Sequence, residues 1–147
     1  MPETEDVVGR IMSKTVVTIS ASQPVRVAVA EMTKHDVGSV VVMKGGSPIG
    51  IITERDVMRH LAGKAVKLLD QPSESLASKP LVTVSPDTEI WKAFMVMLRK
   101  KIRRLPVMEG RKMIGIVTER DLFKWVVGVL YAPNIPKDVR KLIAQNP

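Results

Sequence analysis

Two short stretches carry the chemistry in this chain. Thr53-Glu-Arg-Asp56 and Thr118-Glu-Arg-Asp121 each set a hydroxyl and a carboxylate three residues apart, directly after Gly-Ile-Ile or Gly-Ile-Val. In both cases a β-branched run gives way to a helical pattern at the threonine. A threonine at such a junction is a natural helix cap, and an acid three positions on can return a bond to its backbone N–H. The same geometry suits a ligand. A helix N-terminus presents unpaired N–H groups and positive potential to a phosphate. The threonine hydroxyl can add a donor, and the aspartate can accept both hydroxyls of a ribose, as an acidic residue does in dinucleotide folds. Gly50 and Gly115, three residues before the threonines, let another backbone or a flat base come close. On these residues alone, cap and ligand site are both open.

The two stretches belong to a longer duplication. Ile49–Asp56 returns as Ile114–Asp121, 65 residues later, and an ungapped overlay at that offset matches 17 of the 50 positions from Ile11 to His60. Chance gives about three, so the chain is a tandem repeat. In the first copy Val16–Ile19 reads as a strand, and Pro24 opens a helix to about His35. Ser39–Met43 and Ile49–Thr53 form a hairpin around Lys44–Pro48, and a second helix runs from Thr53 to about Leu61 with Gly63 as its stop. The second copy has a strand at Val82–Val84 and a helix over Asp87–Lys100 with Ile90, Phe94 and Met97 inward. A hairpin of Arg104–Met108 and Ile114–Thr118 follows, then a helix from Glu119 to about Val129. The expected class is therefore α+β, with two pseudo-symmetric β-α-β-β-α repeats. The boundaries are 7–63 for the first repeat, 64–75 for a linker rich in turn residues, and 76–130 for the second. Residues 131–147 form a tail, extended over 132–136, with a short helix possible over 137–145.

At 147 residues the chain suits one domain, and either half alone would bury too little surface, so the repeats are expected to share a core, packed through their sheets. The absence of cysteine removes disulfides, thiolate metal sites and thiol nucleophiles. No apolar run is long enough to span a bilayer, and the acidic start is unlike a signal peptide, which together read as cytoplasmic. The net charge of +8 is uneven, with +1 in residues 1–70 and +7 in residues 71–147. Arg99-Lys-Lys-Ile-Arg-Arg104 concentrates the excess and suggests an anionic partner, or a cationic helix end matched to the helix dipole.

These motifs resemble a Bateman module, the tandem pair of cystathionine-β-synthase (CBS) domains found in IMP dehydrogenase and in the gamma subunit of the AMP-activated kinase. The resemblance covers about residues 7–130. It rests on Ile11-Met-Ser13, on Arg104-Leu-Pro-Val107 and on both Gly-Ile-[Ile/Val]-Thr-Glu-Arg-Asp stretches. It implies an adenosine-type ligand (AMP, ADP, ATP or S-adenosylmethionine) in the crevice between the repeats, with regulatory rather than catalytic consequences. One pocket would use Thr118, Arg120 and Asp121 with Arg103 and Arg104, and would place Val16, Val17 and Val37 about the base. Its counterpart would use Thr53, Arg55 and Asp56 with Gly38 and Ser39, and Leu81, Val82 and Ile102 about the base. Where one pocket has two guanidiniums that can grip phosphate oxygens, the other has Gly38-Ser39, so the Asp121 pocket is expected to hold phosphorylated ligands more tightly. The resemblance further implies a homodimer, formed here on helix faces around Val57, Met58, Leu61, Leu122, Phe123 and Val126, and a separate target protein.

The catalytic inventory is thin. His35 and His60 are the only histidines, and their counterparts in the other repeat are Lys100 and Trp125. No cluster has metal-ligand spacing, and Gly45–Gly50 lacks the lysine of a phosphate loop. Met32, Met43, Met97 and Met108 recur at matching positions and read as packing, and Trp91 and Trp125 as core or dimer-face residues. Two other function classes stay open. One is a nucleic-acid binder using residues 99–104, poor in the aromatics that stack bases. The other is an interaction subunit with vestigial clefts.

Overall fold

The computed structural model describes residues 6–131 and 136–145. In chain order the elements are α1 (Val8–Ile11), β1 (Thr18–Ser20), α2 (Val25–Lys34), β2 (Ser39–Lys44), β3 (Ser47–Thr53) and α3 (Glu54–Lys64). Two 3-10 turns (Ala65–Asp70 and Ser73–Ser75) lead to α4 (Ile90–Lys100), β4 (Arg104–Glu109), β5 (Lys112–Thr118), α5 (Glu119–Tyr131) and α6 (Lys137–Gln145). They fall into two units that do not follow the repeats. The first unit holds Lys14–Thr83 and the hairpin tip Met108–Ile114. The second holds the chain up to Ser13, Val84–Val107, and the chain from Gly115 on.

The first unit is built on a three-stranded sheet in the order β1-β2-β3. β1 runs parallel to β2, with Thr18 opposite Val41, and β3 runs antiparallel to it, with Ser39 opposite Thr53. The β2–β3 turn is Gly45-Gly46, at φ +57° and +78°. Two consecutive left-handed residues are what the favoured two-residue hairpin turn needs, so glycine is the fitting residue type. A register shift after Val42 pairs Val42 with Gly50 and Met43 with Pro48. Such an irregularity accommodates a proline that has no N–H for the ladder. α2 packs Val25, Ala28 and Met32 on Val40, Val42 and Ile52, a stripe at helical spacing.

Residues 64–75, read from the sequence as a linker, are folded onto this core. Leu68 is buried, and Ser73 is fully buried with its N–H and its hydroxyl both donating to the Gln23 carbonyl, at 2.8 and 2.7 Å. Arg26 pairs with Asp70 across the same seam. Gly63 does not stop α3, which continues to Lys64 and then tightens into a 3-10 turn.

The second unit buries Val8, Ile90, Ala93, Met97, Leu105, Val107, Val117 and Leu122. Its N-terminal segment is tied down by backbone bonds from Val8 to Thr88 (2.8 Å) and from Gly9 to Pro86 (2.9 Å). Three expectations need correction here. The strand at Val82–Val84 reduces to one parallel bridge between Val84 and Val107. In the first repeat the Val41 N–H donates to Val17 at 3.0 Å. The counterpart of Val41 is Pro106, which has no N–H to give. Phe94, expected inward, is 42% exposed, because α4 buries Ile90, Ala93 and Met97, which leaves position 94 on the flank. Leu122, placed by the sequence on an exposed helix face, lies in the core at 3% exposure. The stretch 132–135, part of the expected extended tail, lies outside the described residues. No helix among the described residues is long and apolar enough to cross a membrane.

Candidate functional site

The two Thr-Glu-Arg-Asp turns have the same geometry. In the first unit the Thr53 N–H and hydroxyl both donate to Asp56 Oδ2 at 2.9 Å, and the Asp56 N–H returns to Thr53 Oγ1 at 3.3 Å. In the second unit Thr118 and Asp121 make the same bonds at 2.8, 2.8 and 3.3 Å. Each turn is thus a reciprocal cap at the start of α3 or α5. The threonine hydroxyl has one proton, and the turn commits it to the aspartate. A phosphate donor role for Thr53 or Thr118 therefore requires that bond to be exchanged, which the sequence did not disclose. What remains to a ligand is the second carboxylate oxygen. Asp121 Oδ1 has no hydrogen bond among the described residues, and Asp56 Oδ1 accepts only a long one, from Ser78 Oγ at 3.4 Å.

The first-turn N–H groups divide in the same way. Glu54 N–H donates to the Gly38 carbonyl at 3.1 Å, and Glu119 N–H to the Arg103 carbonyl at 2.8 Å. The N–H groups of Arg55 and Arg120 have no partner among the described residues, so each helix start keeps an open donor beside the aspartate Oδ1.

Gly50 and Gly115 answer one question the sequence left open. A backbone, not a base, uses the space they leave. Ser13 and Ile116 exchange both backbone bonds at 2.9 Å, and Ser78 and Ile51 do so at 2.9 and 3.4 Å. A Cβ on Gly115 would sit 2.7 Å from the Ser13 carbonyl oxygen, and one on Gly50 would sit 2.8 Å from that of Ser78. Ser13 and Ser78 are themselves 65 residues apart, so the strap that crosses each β-strand is part of the repeat. Sequence reasoning noted Ile11-Met-Ser13 but not what it touches. The signal was the in-frame Ser-Lys match at 13–14 and 78–79.

Where the turns differ is the residue facing the helix start. The Gly38 and Arg103 carbonyls occupy equivalent places, so Arg103 and Arg104 enter β4 beside the α5 N-terminus, while Gly38 and Ser39 stand at the α3 N-terminus. Arg103 Nε lies 3.5 Å from Glu119 Oε2, an exposed pair. Ser39 is buried at 7%. Arg55 and Arg120 are exposed, and Leu81, Val82, Val16, Val17 and Ile102 are half-buried. Val37 is 36% exposed. Leu81 and Val82 belong to the same unit as Thr53 and Asp56, whereas Ile102 belongs to the second. Val16, Val17 and Val37 belong to the first unit, and Thr118, Asp121, Arg103, Arg104 and Arg120 to the second.

Both histidines serve helices. His60 Nδ1 is 2.8 Å from the Asp56 carbonyl, and His35 Nε2 is 3.2 Å from Glu31 Oε2. Among the described residues no group of three His, Cys, Asp or Glu side chains is arranged to hold a metal.

Comparison with known proteins identifies the family and the fold. A family model described as the CBS domain matches residues 8–63 and 74–128. The mitochondrial CBS domain-containing protein CBSX3 of Arabidopsis thaliana is 38% identical over 108 residues, 68% of this chain and 51% of that protein. The chain spans 61%, 31% and 51% of the lengths of three curated relatives that it matches. A crystal structure of the CBS-domain containing protein ATU1752 from Agrobacterium tumefaciens superposes with a TM-score of 0.78 at 26% identity, over 82% of this chain and 98% of that one. The CBS domain pair of protein MJ0100, solved with methylthioadenosine and S-adenosyl-L-methionine, shares the fold at a TM-score of 0.76 and 24% identity, over 84% and 97% of the two chains.

Proposed function

The chain belongs to the CBS-domain family, and we propose that it is a non-catalytic regulatory module. Its two Thr-Glu-Arg-Asp turns bind adenosine-containing ligands (AMP, ADP, ATP or S-adenosylmethionine) and report their presence to a separate partner protein. The observation that carries this reading is the pair of matching turns, each with an arginine backbone N–H open at a helix start beside an aspartate Oδ1 that is unbonded among the described residues in Asp121 and holds only a 3.4 Å bond from Ser78 in Asp56. A ribose diol suits the aspartate oxygen and a phosphate oxygen the N–H. The adenosyl compounds of the MJ0100 pair belong to that protein; they define the class to test here.

The two turns differ in ligand preference. Arg103 and Arg104 add two guanidiniums to the second unit's turn, and charge-assisted bonds to phosphate contribute about 1.5–3 kcal/mol each. The first unit's turn has Gly38 and Ser39 instead, which suits a less charged adenosyl compound. Val16, Val17, Val37, Leu81, Val82 and Ile102 are the apolar residues that select adenine by contact. Regulation follows when the ligand has unequal affinity for two arrangements of the module. The module acts as a homodimer through exposed apolar helix residues such as Met58 and Phe123, both 67% exposed.

A thermal-shift panel of AMP, ADP, ATP, S-adenosylmethionine and inorganic phosphate tests this directly. Ligand at a hundred times its Kd stabilises by about 2.7 kcal/mol. In a chain of this size that raises Tm by about 5–11 °C. The proposal fails if no adenosine compound raises Tm, or if phosphate alone raises it as much.

A further inference from the structure

The glutamate inside each Thr-Glu-Arg-Asp turn takes no side-chain part in the cap, whose bonds run between threonine and aspartate. Glu54 and Glu119 each open a helix, where a carboxylate is favoured by the helix dipole. That reason applies equally to both, but their surroundings differ. Glu119 faces Arg103: its N–H donates to the Arg103 carbonyl at 2.8 Å, and its Oε2 lies 3.5 Å from Arg103 Nε. Glu54 faces Gly38, which has no side chain to offer, and it has no ion pair among the described residues. Of the two turns, only the one that carries the guanidiniums sets a carboxylate against one of them.

The geometry of the pair decides what it does to Arg103. A separation of 3.5 Å exceeds ordinary hydrogen-bond length, so Glu119 does not lock the plane of the guanidinium. The side chains are 66% and 60% exposed, so packing does not fix them either. What Glu119 contributes is charge. A carboxylate beside a guanidinium offsets the positive potential that an incoming phosphate would meet, and a phosphate that takes Arg103 must share it with Glu119 or draw it away. We infer that Glu119 is a specificity-determining residue of the second unit's turn. It competes with ligand phosphate for Arg103, and so holds the preference for phosphorylated over unphosphorylated adenosine below what Arg103 and Arg104 would give alone. The inference rests on the adenosine-binding reading above and adds to it an internal competitor that need not touch the ligand.

The test is isothermal titration of AMP and of adenosine into the parent chain and into Glu119→Gln, which keeps the length of the side chain and removes its charge. AMP should bind Glu119→Gln about two- to five-fold more tightly than the parent, the range of an exposed ion-pair interaction, while adenosine affinity should not rise. Added salt should shrink the AMP difference, because both charges are exposed. An unchanged AMP affinity would overturn the inference. So would a weaker one, which would make Glu119 a support that orients Arg103, or an equal gain for AMP and adenosine, which would assign the effect to the cap. Glu119→Ala, read in the same way, serves if Glu119→Gln fails to fold. A parent chain that binds neither compound would overturn the ligand reading and this inference with it.

Discussion

A single methyl group at Gly115 should reveal whether the strap geometry is right. The Cβ of Gly115→Ala would lie 2.6 Å from Met12 Sδ and 2.7 Å from the Ser13 carbonyl oxygen, both well inside contact distance. Met12 can swing aside, but Ser13 is held by two bonds to Ile116 at 2.9 Å, so backbone must move or those bonds lengthen. Overpacking of this kind costs about 1–3 kcal/mol. For a chain of this length, Tm should fall by roughly 2–12 °C. Gly128→Ala is the control. Gly128 lies inside α5 with nothing within 4 Å of its added Cβ, so alanine there should stabilise by about 0.5–1 kcal/mol. The same chemical change should therefore move Tm in opposite directions at the two sites. Adding Met12→Ala to Gly115→Ala should recover only part of the loss, because the carbonyl contact persists. Calorimetric melting of the four proteins decides it. If Gly115→Ala melts at or above the parent temperature, Ser13 does not lie where described.

Other consequences can be checked alongside. Thr118→Val removes the hydroxyl that caps α5 and holds Asp121 Oδ2; urea unfolding should show a loss of about 1 kcal/mol, and Thr118→Ser should show much less. The hydrogen bond from Lys44 to Glu74, at 2.9 Å, and then the Lys44 charge, hold the Glu74 carboxyl below its ordinary value. Because the folded-state value is depressed, the pair stabilises at pH above the unfolded carboxylate range, and its contribution disappears as pH falls through the folded-state value. An NMR titration of Lys44→Met should show the Glu74 midpoint moved back up; an unmoved midpoint would assign the shift to something else.

The legible part of this protein was what repeats in frame or follows a local period. Thr53, Asp56, Thr118 and Asp121 stood out because hydroxyl and carboxylate recur at one spacing after Gly-Ile-Ile or Gly-Ile-Val, and the helix that begins after Pro24 followed from its apolar period. Phe94 and Leu122 were misplaced because helical spacing identifies a stripe without fixing its centre. Only packing decides between adjacent positions 93 and 94, or 122 and 123. The strand at 82–84 failed for a reason outside its own residues, the missing N–H of Pro106. The straps were hidden because the Ser13–Ile116 pairing joins residues 103 positions apart and leaves no periodic trace in either segment. The commitment of the threonine proton to aspartate is likewise a matter of rotamer, to which residue type is silent.

Isothermal titration of AMP into the parent protein, Asp121→Asn and Asp56→Asn tests the ligand reading most directly. Asparagine retains one oxygen for the cap bonds now made by Oδ2 while removing the charge and one acceptor from the ribose. The account predicts a tight site that weakens by about ten-fold or more in Asp121→Asn, matching a loss of at least 1.5 kcal/mol, and persists in Asp56→Asn. Absence of AMP binding to the parent protein, or a tight site lost in Asp56→Asn and spared in Asp121→Asn, would contradict it.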